Sequence, residues 1–372
     1  MNLPTAQSAD LSIRLSKEPE VSVEPIAEFR PAWWLRGAHR QTVWRSLFDR
    51  GLSPPYRRER FETSDGDFVD LDWLDSGSRS GDRPLVIVLH GLEGSSRSPY
   101  VPGLLREASR RGWDGVAMNF RSCSGEMNRR PRFYHSGETG DLEEVLSSLI
   151  ERRPGRPIAL VGYSLGGNVL LKWLGEREDD LPETVLAAVA VSVPFDLAAA
   201  AYRVDHGLSR IYGQVFLRTL KKKSAAKARL FPGLLDPKEI AAIGSFAEFD
   251  NLVTAPLHGF ADARDYWKRA SATPRLLTIR KPTLLINASD DPFLPSSCLP
   301  RDAVARSNWL SAEFTPSGGH VGFIDGGRPG AVSYWIDRRA MIFLDSKLRD
   351  RVTTGMKAGE SDLSIAGAGA PA

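Results

Sequence analysis

The sequence predicts an α/β protein with a mostly parallel central sheet, flanking helices and a helical insertion late in the chain. Short apolar runs of strand length alternate with longer amphipathic patterns, as in parallel sheets built with crossover helices. Residues 85–89 contain only Leu, Val and Ile, which is typical of a strand buried on both faces. Residues 196–281 lack any such run.

The strands are expected in chain order. A hairpin at 61–74, turning at Ser64-Asp65-Gly66, comes first. Buried strands are then predicted at 85–89, 115–120, 157–161, 185–193, 283–287 and 312–315. Helices are predicted at 100–111, 139–152, 165–174 and 332–348. In the second of these helices, apolar residues recur on one face, as in an amphipathic helix.

The segment 197–281 interrupts this alternation. It holds Ala-rich, basic and aromatic helical pieces, so we expect a helical cap inserted into a domain spanning 29–352. Residues 1–28 have no sustained period, and 353–372 are rich in Gly, Ala and Ser. Both ends are therefore predicted to be disordered.

Composition excludes several classes of protein. The 49 basic and 46 acidic residues give a net charge of +3 and alternate along the chain, so nucleic-acid binding is not indicated. The two cysteines, Cys123 and Cys298, favour a reducing compartment. No signal peptide and no apolar stretch of about 18 residues is recognisable. We expect a cytoplasmic protein, with peripheral membrane contact left open and the oligomeric state unknown.

One motif follows an expected strand. Gly162-Tyr163-Ser164-Leu165-Gly166 is the single G-x-S-x-G of the chain and lies between strand 157–161 and helix 165–174. A tight strand-to-helix turn exposes a serine hydroxyl, and small flanking residues permit its sharp backbone path. The motif alone is weak, but this context predicts Ser164 as a nucleophile rather than a serine in an ordinary Gly-rich turn.

A serine nucleophile needs a base. With this motif, the acid and the histidine follow the serine along the chain. Three histidines do so: His206, His258 and His320. The first two fall in the expected cap, whereas His320 lies in a Gly-rich loop directly after strand 312–315. That loop returns the imidazole to the carboxyl edge of the sheet, so His320 is the predicted base.

The supporting acid is expected after strand 283–287, where Asp290 and Asp291 stand side by side. Its role is to accept the imidazole N–H and stabilise the imidazolium. Asp291 lies four residues before Pro295, a common spacing for such an acid, and is preferred. Asp290 is then a turn or capping residue. Asp196, after strand 185–193, is a more distant alternative.

Two backbone amides are expected to form an oxyanion hole. One belongs to Leu165, directly after the nucleophile, and the other to Leu92, in the loop 90–94 after an early strand. Since the donors are backbone groups, leucine is adequate at both positions. The alternative for the loop 90–94 is a simple Gly-rich connector.

Two further groups of residues have competing interpretations. Arg121, Glu126, His135, Glu138 and Asp141 follow strand 115–120, at the sheet edge where ligands bind in open α/β folds. A hydrogen-bonded network holding that loop is the preferred interpretation. The basic run 221–223 in the cap would suit an anionic lipid surface, but a solvated face over ordinary packing is the plainer interpretation.

Five sequence blocks, at 90–95, 119–126, 134–139 with Asp141, 162–168 and 287–293, occur in the order found in a known family. Over about 29–348 the chain resembles the YheT-like esterase branch of the α/β-hydrolase superfamily, which includes eukaryotic abhydrolase-domain lipases. The resemblance implies the α/β-hydrolase fold and a carboxylesterase or lipase with the triad Ser164, Asp291 and His320. Ser122 departs from the glycine expected in its block, which bears on the local backbone only.

The expected activity is hydrolysis of a carboxylic ester, acyl or lipid-like, through an acyl-enzyme on Ser164, without a metal or organic cofactor. An acyltransferase or a thioesterase would use the same triad, because the pocket selects the acceptor. A catalytically silent lipid-binding protein is the alternative from another class, and the presence of all triad residue types argues against it.

Overall fold

A computed structural model of the chain describes residues 28–48, 54–74, 83–329 and 331–366. Eight strands form one sheet in the order β1-β2-β4-β3-β5-β6-β7-β8. They are β1 (Arg57–Glu62), β2 (Phe68–Leu74), β3 (Leu85–Leu89), β4 (Asp114–Asn119), β5 (Ile158–Tyr163), β6 (Val185–Val191), β7 (Thr283–Ala288) and β8 (Leu310–Thr315). The pairs β1–β2 and β2–β4 are antiparallel, and all other pairs of this sheet are parallel. The predicted α/β class with a mostly parallel sheet is confirmed.

Helices cover both faces of the sheet and fill the long connection between β6 and β7. They are α1 (Ala38–Phe48), α2 (Tyr100–Arg110), α3 (Gly140–Arg152), α4 (Leu165–Arg177), α5 (Leu197–Asp205), α6 (Arg210–Leu230), α7 (Pro237–Ala242), α8 (Phe246–Phe249), α9 (Ala255–His258), α10 (Ala263–Ala270), α11 (Arg301–Arg306) and α12 (Trp335–Ala366). A π-helical turn, Asp250–Thr254, joins α8 to α9.

The apolar runs are uninterrupted because both faces of the sheet are buried. Successive side chains of a strand point to opposite faces. Ile87 of β3 therefore packs in one core cluster with residues of α3 and α4. Its neighbours Val86 and Val88 pack in the other cluster, with residues of α2 and α12. Because strands β3 and β5 to β8 run parallel, their carboxyl ends lie at one edge of the sheet, where the loops after β3, β5, β7 and β8 meet.

The segment 197–281, assigned to a cap from the sequence, contains helices α5 to α10 and no strand. We call it the helical insertion. It has an apolar cluster of its own, which includes Leu217, Phe246 and Phe249 and extends to Phe293 and Leu294 in the loop after β7. The helical insertion thus packs against the edge of the sheet that carries the G-x-S-x-G turn.

The structure describes the two ends of the chain to different extents. The predicted N-terminal disordered segment, 1–28, lies almost entirely outside the described residues. At the other end, α12 continues to Ala366, through most of the tail expected to be disordered. Helix propagation gains one hydrogen bond per added residue, and Met, Lys, Ala and Glu within 356–360 are good helix formers.

A small hairpin, β9 (Ile324–Arg328) with β10 (Ala331–Tyr334), was not predicted. Its first strand contains Gly326 and Gly327, which remove the alternation by which a strand is recognised in a sequence. The expected start of the last helix, at 332, consequently moves to Trp335.

Candidate active site

Ser164 occupies a strained turn between β5 and α4, with φ +52° and ψ −119°. Positive φ is uncommon for a residue with a side chain and is typical of functional turns. The flanking glycines are required by close packing. A β-carbon at Gly162 would lie 2.5 Å from the carbonyl oxygen of Gly166, and one at Gly166 would lie 2.5 Å from that of His90. The turn therefore presents the serine hydroxyl as the motif predicts.

His320 lies between the serine and a carboxylate. Its Nε2 is 3.0 Å from Oγ of Ser164, and its Nδ1 is 2.8 Å from Oδ2 of Asp291. An ionised carboxylate only accepts hydrogen bonds, so Nδ1 carries the proton and Nε2 accepts from the serine hydroxyl. Asp291 is 2% exposed, and its Oδ1 accepts the N–H of Phe293 at 2.8 Å. The three predicted residues are thus brought together in one chain of hydrogen bonds.

The competing acids have other contacts. Asp290 accepts the N–H of Gly319 at 2.9 Å and so supports the loop that carries His320. Burial raises the pKa of Asp290 above its usual range. Asp196 caps the start of α5 by accepting the N–H of Ala199 at 3.0 Å. Of the three acids weighed from the sequence, Asp291 is the one that forms a hydrogen bond with the ring of His320.

Two polar side chains that the sequence did not single out hold the histidine loop. The N–H of His320 donates to Oγ1 of Thr42 in α1 at 2.9 Å. The N–H of Val321 donates to Oγ of Ser192, just after β6, at 3.1 Å. Val321 has φ +58°, so the loop is bent sharply at this point. Neither Thr42 nor Ser192 lies in a recognisable motif, because each acts only through a tertiary contact.

The loop after β3 approaches the serine closely. A β-carbon at Gly91 would lie 3.2 Å from Cβ of Ser164, which leaves little room for a residue larger than glycine. Within the described residues, the N–H groups of Leu92 and Leu165 have no hydrogen-bond partner. Unengaged backbone donors beside a serine hydroxyl are what an oxyanion hole requires.

Other polar groups of this loop are engaged. The N–H of Gly91 donates to the hydroxyl of Tyr100 at 2.9 Å. Nδ1 of His90 donates to the carbonyl of Gly91 at 2.8 Å, and Nε2 accepts the N–H of Phe120 at 3.1 Å. Burial lowers the pKa of His90 to about 4, so its ring is neutral, as this pair of contacts requires. These hydrogen bonds fix the loop after β3 without engaging the N–H of Leu92, which can therefore bind an oxyanion.

Glu93, next to Leu92, links this loop to the helical insertion. It has φ +54°, and its N–H donates to the hydroxyl of Tyr134 at 2.7 Å. Its Oε1 accepts from that hydroxyl at 3.0 Å and from Nζ of Lys223, in α6, at 2.9 Å. Lys223, part of the basic run 221–223, thus makes a specific contact beside the site instead of facing solvent.

A cavity of about 540 Å³ contains Ser164 and His320 in its wall and is lined mainly by apolar side chains. Leu47 of α1 and Val215 of α6 also line it and are 54% and 55% exposed. The cavity therefore reaches the surface between these two helices. This volume lies within the usual range for small-molecule sites, about 300–1,000 Å³.

Of the five polar residues singled out after β4, four form ion pairs and do not line the cavity, and one lines it. Arg121 is 2% exposed and pairs with Asp141 at 2.6 Å and with Asp67 at 2.9 Å. Glu126 pairs with Arg60 at 2.7 Å, and Glu138 pairs with Arg132. His135, whose Nε2 lies 3.6 Å from Glu138, is the one of the five that lines the cavity. Ser122 adopts φ +64°, which explains why a glycine was expected there.

The described residues contain neither a helix suited to cross a membrane nor a cluster suited to hold a metal ion. In that part of the chain no helix combines the length and apolar character needed to cross a membrane. The same residues contain no group of three or more His, Cys, Asp or Glu side chains arranged to hold a metal ion.

The fold is that of the α/β-hydrolase class, and the comparison with family models agrees. The family model described as the alpha/beta hydrolase fold matches residues 84–327. The chain therefore belongs to the α/β-hydrolase family, within its esterase and lipase type, as the sequence blocks predicted.

Three relatives are informative. A protein of Escherichia coli named "Putative esterase YheT" is 42% identical over 334 residues, covering 89% of this chain and 95% of that protein. Phospholipase ABHD3 of Mus musculus is 30% identical over 312 residues, covering 82% and 75%. Monoacylglycerol lipase of Saccharomyces cerevisiae is 32% identical over 250 residues, covering 65% and 55%.

Proposed function

We propose that the protein hydrolyses carboxylic esters through an acyl-enzyme formed on Ser164. The observation that carries this proposal is the continuous arrangement in which Nε2 of His320 lies 3.0 Å from Oγ of Ser164 and Nδ1 lies 2.8 Å from Asp291. Both distances allow hydrogen bonding in the ground state, so proton transfer needs no rearrangement of these side chains.

In the first half-reaction, Oγ of Ser164 attacks the acyl carbonyl carbon while Nε2 of His320 takes the hydroxyl proton. Asp291 stabilises the imidazolium that results. The carbonyl oxygen becomes an oxyanion, which the amides of Leu92 and Leu165 stabilise. Collapse of the tetrahedral intermediate breaks the ester C–O bond, and the imidazolium gives its proton to the leaving alcohol.

In the second half-reaction, water attacks the acyl-enzyme. His320 removes a proton from the water, the same two amides receive the oxyanion, and the bond to Ser164 breaks as the serine regains its proton. The products are a carboxylic acid and free enzyme. The reaction is that of a carboxylic ester hydrolase, class EC 3.1.1.

An acyl or lipid-like ester suits this site best. The cavity is lined mainly by apolar side chains and opens between Leu47 and Val215. Relatives of the chain are named "Putative esterase YheT", "Phospholipase ABHD3" and "Monoacylglycerol lipase". An apolar wall favours the hydrocarbon part of such a substrate at about 25 cal/mol per Å² removed from water.

The test is a series of p-nitrophenyl esters from short to long acyl chains, combined with labelling by a fluorophosphonate probe. Ser164→Ala is expected to lose ester turnover by at least about 10⁴-fold and to lose labelling altogether. Ser147→Ala, on α3 with its hydroxyl bonded to Glu143, is the matched control and should behave as wild type. Persistent labelling of Ser164→Ala would refute the proposal.

A further inference from the structure

The wall of the cavity contains a buried carboxyl group that the proposed mechanism does not use. Asp250 is 8% exposed and lines the same cavity as Ser164 and His320. It opens the π-helical turn Asp250–Thr254 of the helical insertion. Such turns are rare and occur frequently at functional sites.

The hydrogen bonds of Asp250 do not use all the acceptor positions that a carboxylate offers. Oδ1 accepts from the hydroxyl of Thr254 at 2.7 Å, and Oδ2 accepts from Nε1 of Trp267 at 2.7 Å. Among the described residues no basic side chain forms an ion pair with Asp250. A carboxylate offers about four acceptor positions, so about two remain for another donor. Burial raises the pKa of Asp250 to about 6.

The apolar surroundings of Asp250 make a carboxyl group with a purely structural role energetically unfavourable. Phe246, Phe249 and Val253 line the cavity on the same stretch of the chain as Asp250. A buried charge without a cation is strongly disfavoured in such a setting. A neutral amide could serve Thr254 and Trp267 at a lower desolvation cost. A carboxyl group is explained better if a molecule in the cavity supplies the missing donor.

We propose that Asp250 is a specificity-determining residue whose carboxyl group accepts a hydrogen bond from a hydroxyl or ammonium group of the substrate, separate from the ester. This inference rests on the proposed function, since Asp250 and Ser164 line one cavity. A few placed polar groups in an otherwise apolar pocket fix the orientation of a ligand. A substrate without the donor leaves part of a buried carboxyl group unpaired and is bound less well.

The experiment compares substrates that differ only in the donor. On the acyl side these are p-nitrophenyl octanoate and its ω-hydroxy and ω-amino forms. On the alcohol side they are ethyl octanoate, ethylene glycol monooctanoate and octanoylcholine, the last a cation without an N–H donor. The readout is the ratio of kcat/KM between each polar ester and its plain counterpart, in which the concentration of active enzyme cancels.

Wild type is expected to prefer one hydroxyl- or amino-bearing ester over its plain counterpart by about 10- to 100-fold, the range of a hydrogen bond to a charged group. Asp250→Leu should reduce that ratio to near one. Asp250→Asn keeps an acceptor oxygen and loses the charge, so it should retain part of a hydroxyl preference and little of an ammonium preference. The side of the ester that shows the preference identifies the part of the substrate that meets Asp250.

Asp236→Asn is the matched control. Asp236 is exposed in the same helical insertion, where it caps α7 by accepting the N–H of Lys238 at 2.7 Å, a role that Asn fills equally well, and it is not among the residues that line the cavity. Its substitution should leave every ratio unchanged. A wild type that shows no preference, or an Asp250→Leu variant that keeps one, overturns the role of Asp250 while ester hydrolysis stands. A wild type that hydrolyses none of the esters overturns the proposed function itself.

Discussion

Nζ of Lys223 in α6 donates a hydrogen bond to Oε1 of Glu93 at 2.9 Å. The contact joins the helical insertion to the loop after β3, one residue from Leu92. The Glu93 side chain is 6% exposed, so its carboxylate depends on this lysine and on Tyr134 for compensation. The position of α6 and the geometry of the loop that supplies the Leu92 amide are therefore coupled.

Replacing Lys223 is expected to impair turnover more than substrate binding. Lys223→Met leaves a buried carboxylate with only one partner, which is strongly unfavourable, and the loop should shift to rehydrate it. We expect kcat to fall about 10-fold with KM changed less than about threefold, a fraction of the loss measured when an oxyanion donor is removed directly. Steady-state kinetics on a p-nitrophenyl ester provide the measurement.

Lys222→Met is the matched control for this prediction, since Lys222 is the exposed neighbour of Lys223 in the same helix. It should leave kcat within about twofold of wild type, as surface substitutions usually have small effects. Lys223→Arg should restore most of the activity because it keeps the charge. Equal losses in Lys222→Met and Lys223→Met would contradict the coupling.

The two adjacent aspartates should differ sharply in their effect on catalysis. Asp291→Asn places an amide against Nδ1 of His320 and favours the wrong tautomer, so kcat should fall about 10³- to 10⁴-fold. Asp290→Asn keeps an acceptor oxygen for the N–H of Gly319 and should cost less than about tenfold. Comparison of kcat for the two variants tests the assignment, and a greater loss in Asp290→Asn would reverse it.

The exposed apolar side chains beside the cavity opening should matter for aggregated substrates. Ile211 and Val215 lie one turn apart on α6 and are 66% and 55% exposed. The double change Ile211→Ser with Val215→Ser should lower activity on emulsified long-chain esters about 10-fold, because apolar contact with the substrate surface is lost. Activity on a dissolved short-chain ester should stay within about twofold.

Leu277→Ser serves as the control for this pair, since Leu277 is 37% exposed and is not among the residues that line the cavity. It should change neither activity. If the double variant loses activity equally on dissolved and emulsified esters, the side chains act on folding or on the site and not on contact with the substrate surface.

Asp250 should also make the stability of the protein depend on pH. Its pKa is raised by burial to about 6, above the value of about 3.9 for an unfolded chain. The folded state therefore binds the proton more tightly, and its stabilising effect is present below about pH 4 and lost as the pH rises to about 6. Relative to Asp250→Asn, wild type should lose at most about 3 kcal/mol of unfolding free energy across this window.

Urea unfolding of both proteins between about pH 4 and pH 8 measures this difference. Asp205, which raises the pKa of Asp250 electrostatically, is present in both proteins, so its own titration largely cancels, while its effect on Asp250 remains part of the difference. The difference should be constant above about pH 7. A difference that does not vary between pH 4 and pH 7 would mean that Asp250 is not held in the environment described.

The turn that carries Ser164 was predictable from the sequence because residues next to one another in the chain determine its geometry. A G-x-S-x-G motif that follows an apolar run and precedes a helix predicts a tight strand-to-helix turn without any information from distant residues. His320 and Asp291 were inferred from chain order and from the strands that precede them, since carboxyl ends of parallel strands share an edge. The alternation of strands and helices predicted the sheet for the same reason.

Tertiary structure alone decided which side chains meet. Ser164 and His320, whose Oγ and Nε2 meet, are 156 positions apart in the chain, and the hydrogen bond from the N–H of His320 to Oγ1 of Thr42 spans 278 positions. In the sequence, Lys223 is one residue of a basic run and Asp250 is one acidic residue among many. No local sequence pattern indicates which distant side chains pack against them. Burial, hydrogen-bond pairing and access to the cavity depend on distances between distant segments, and only the packed sheet with its helical insertion sets those distances.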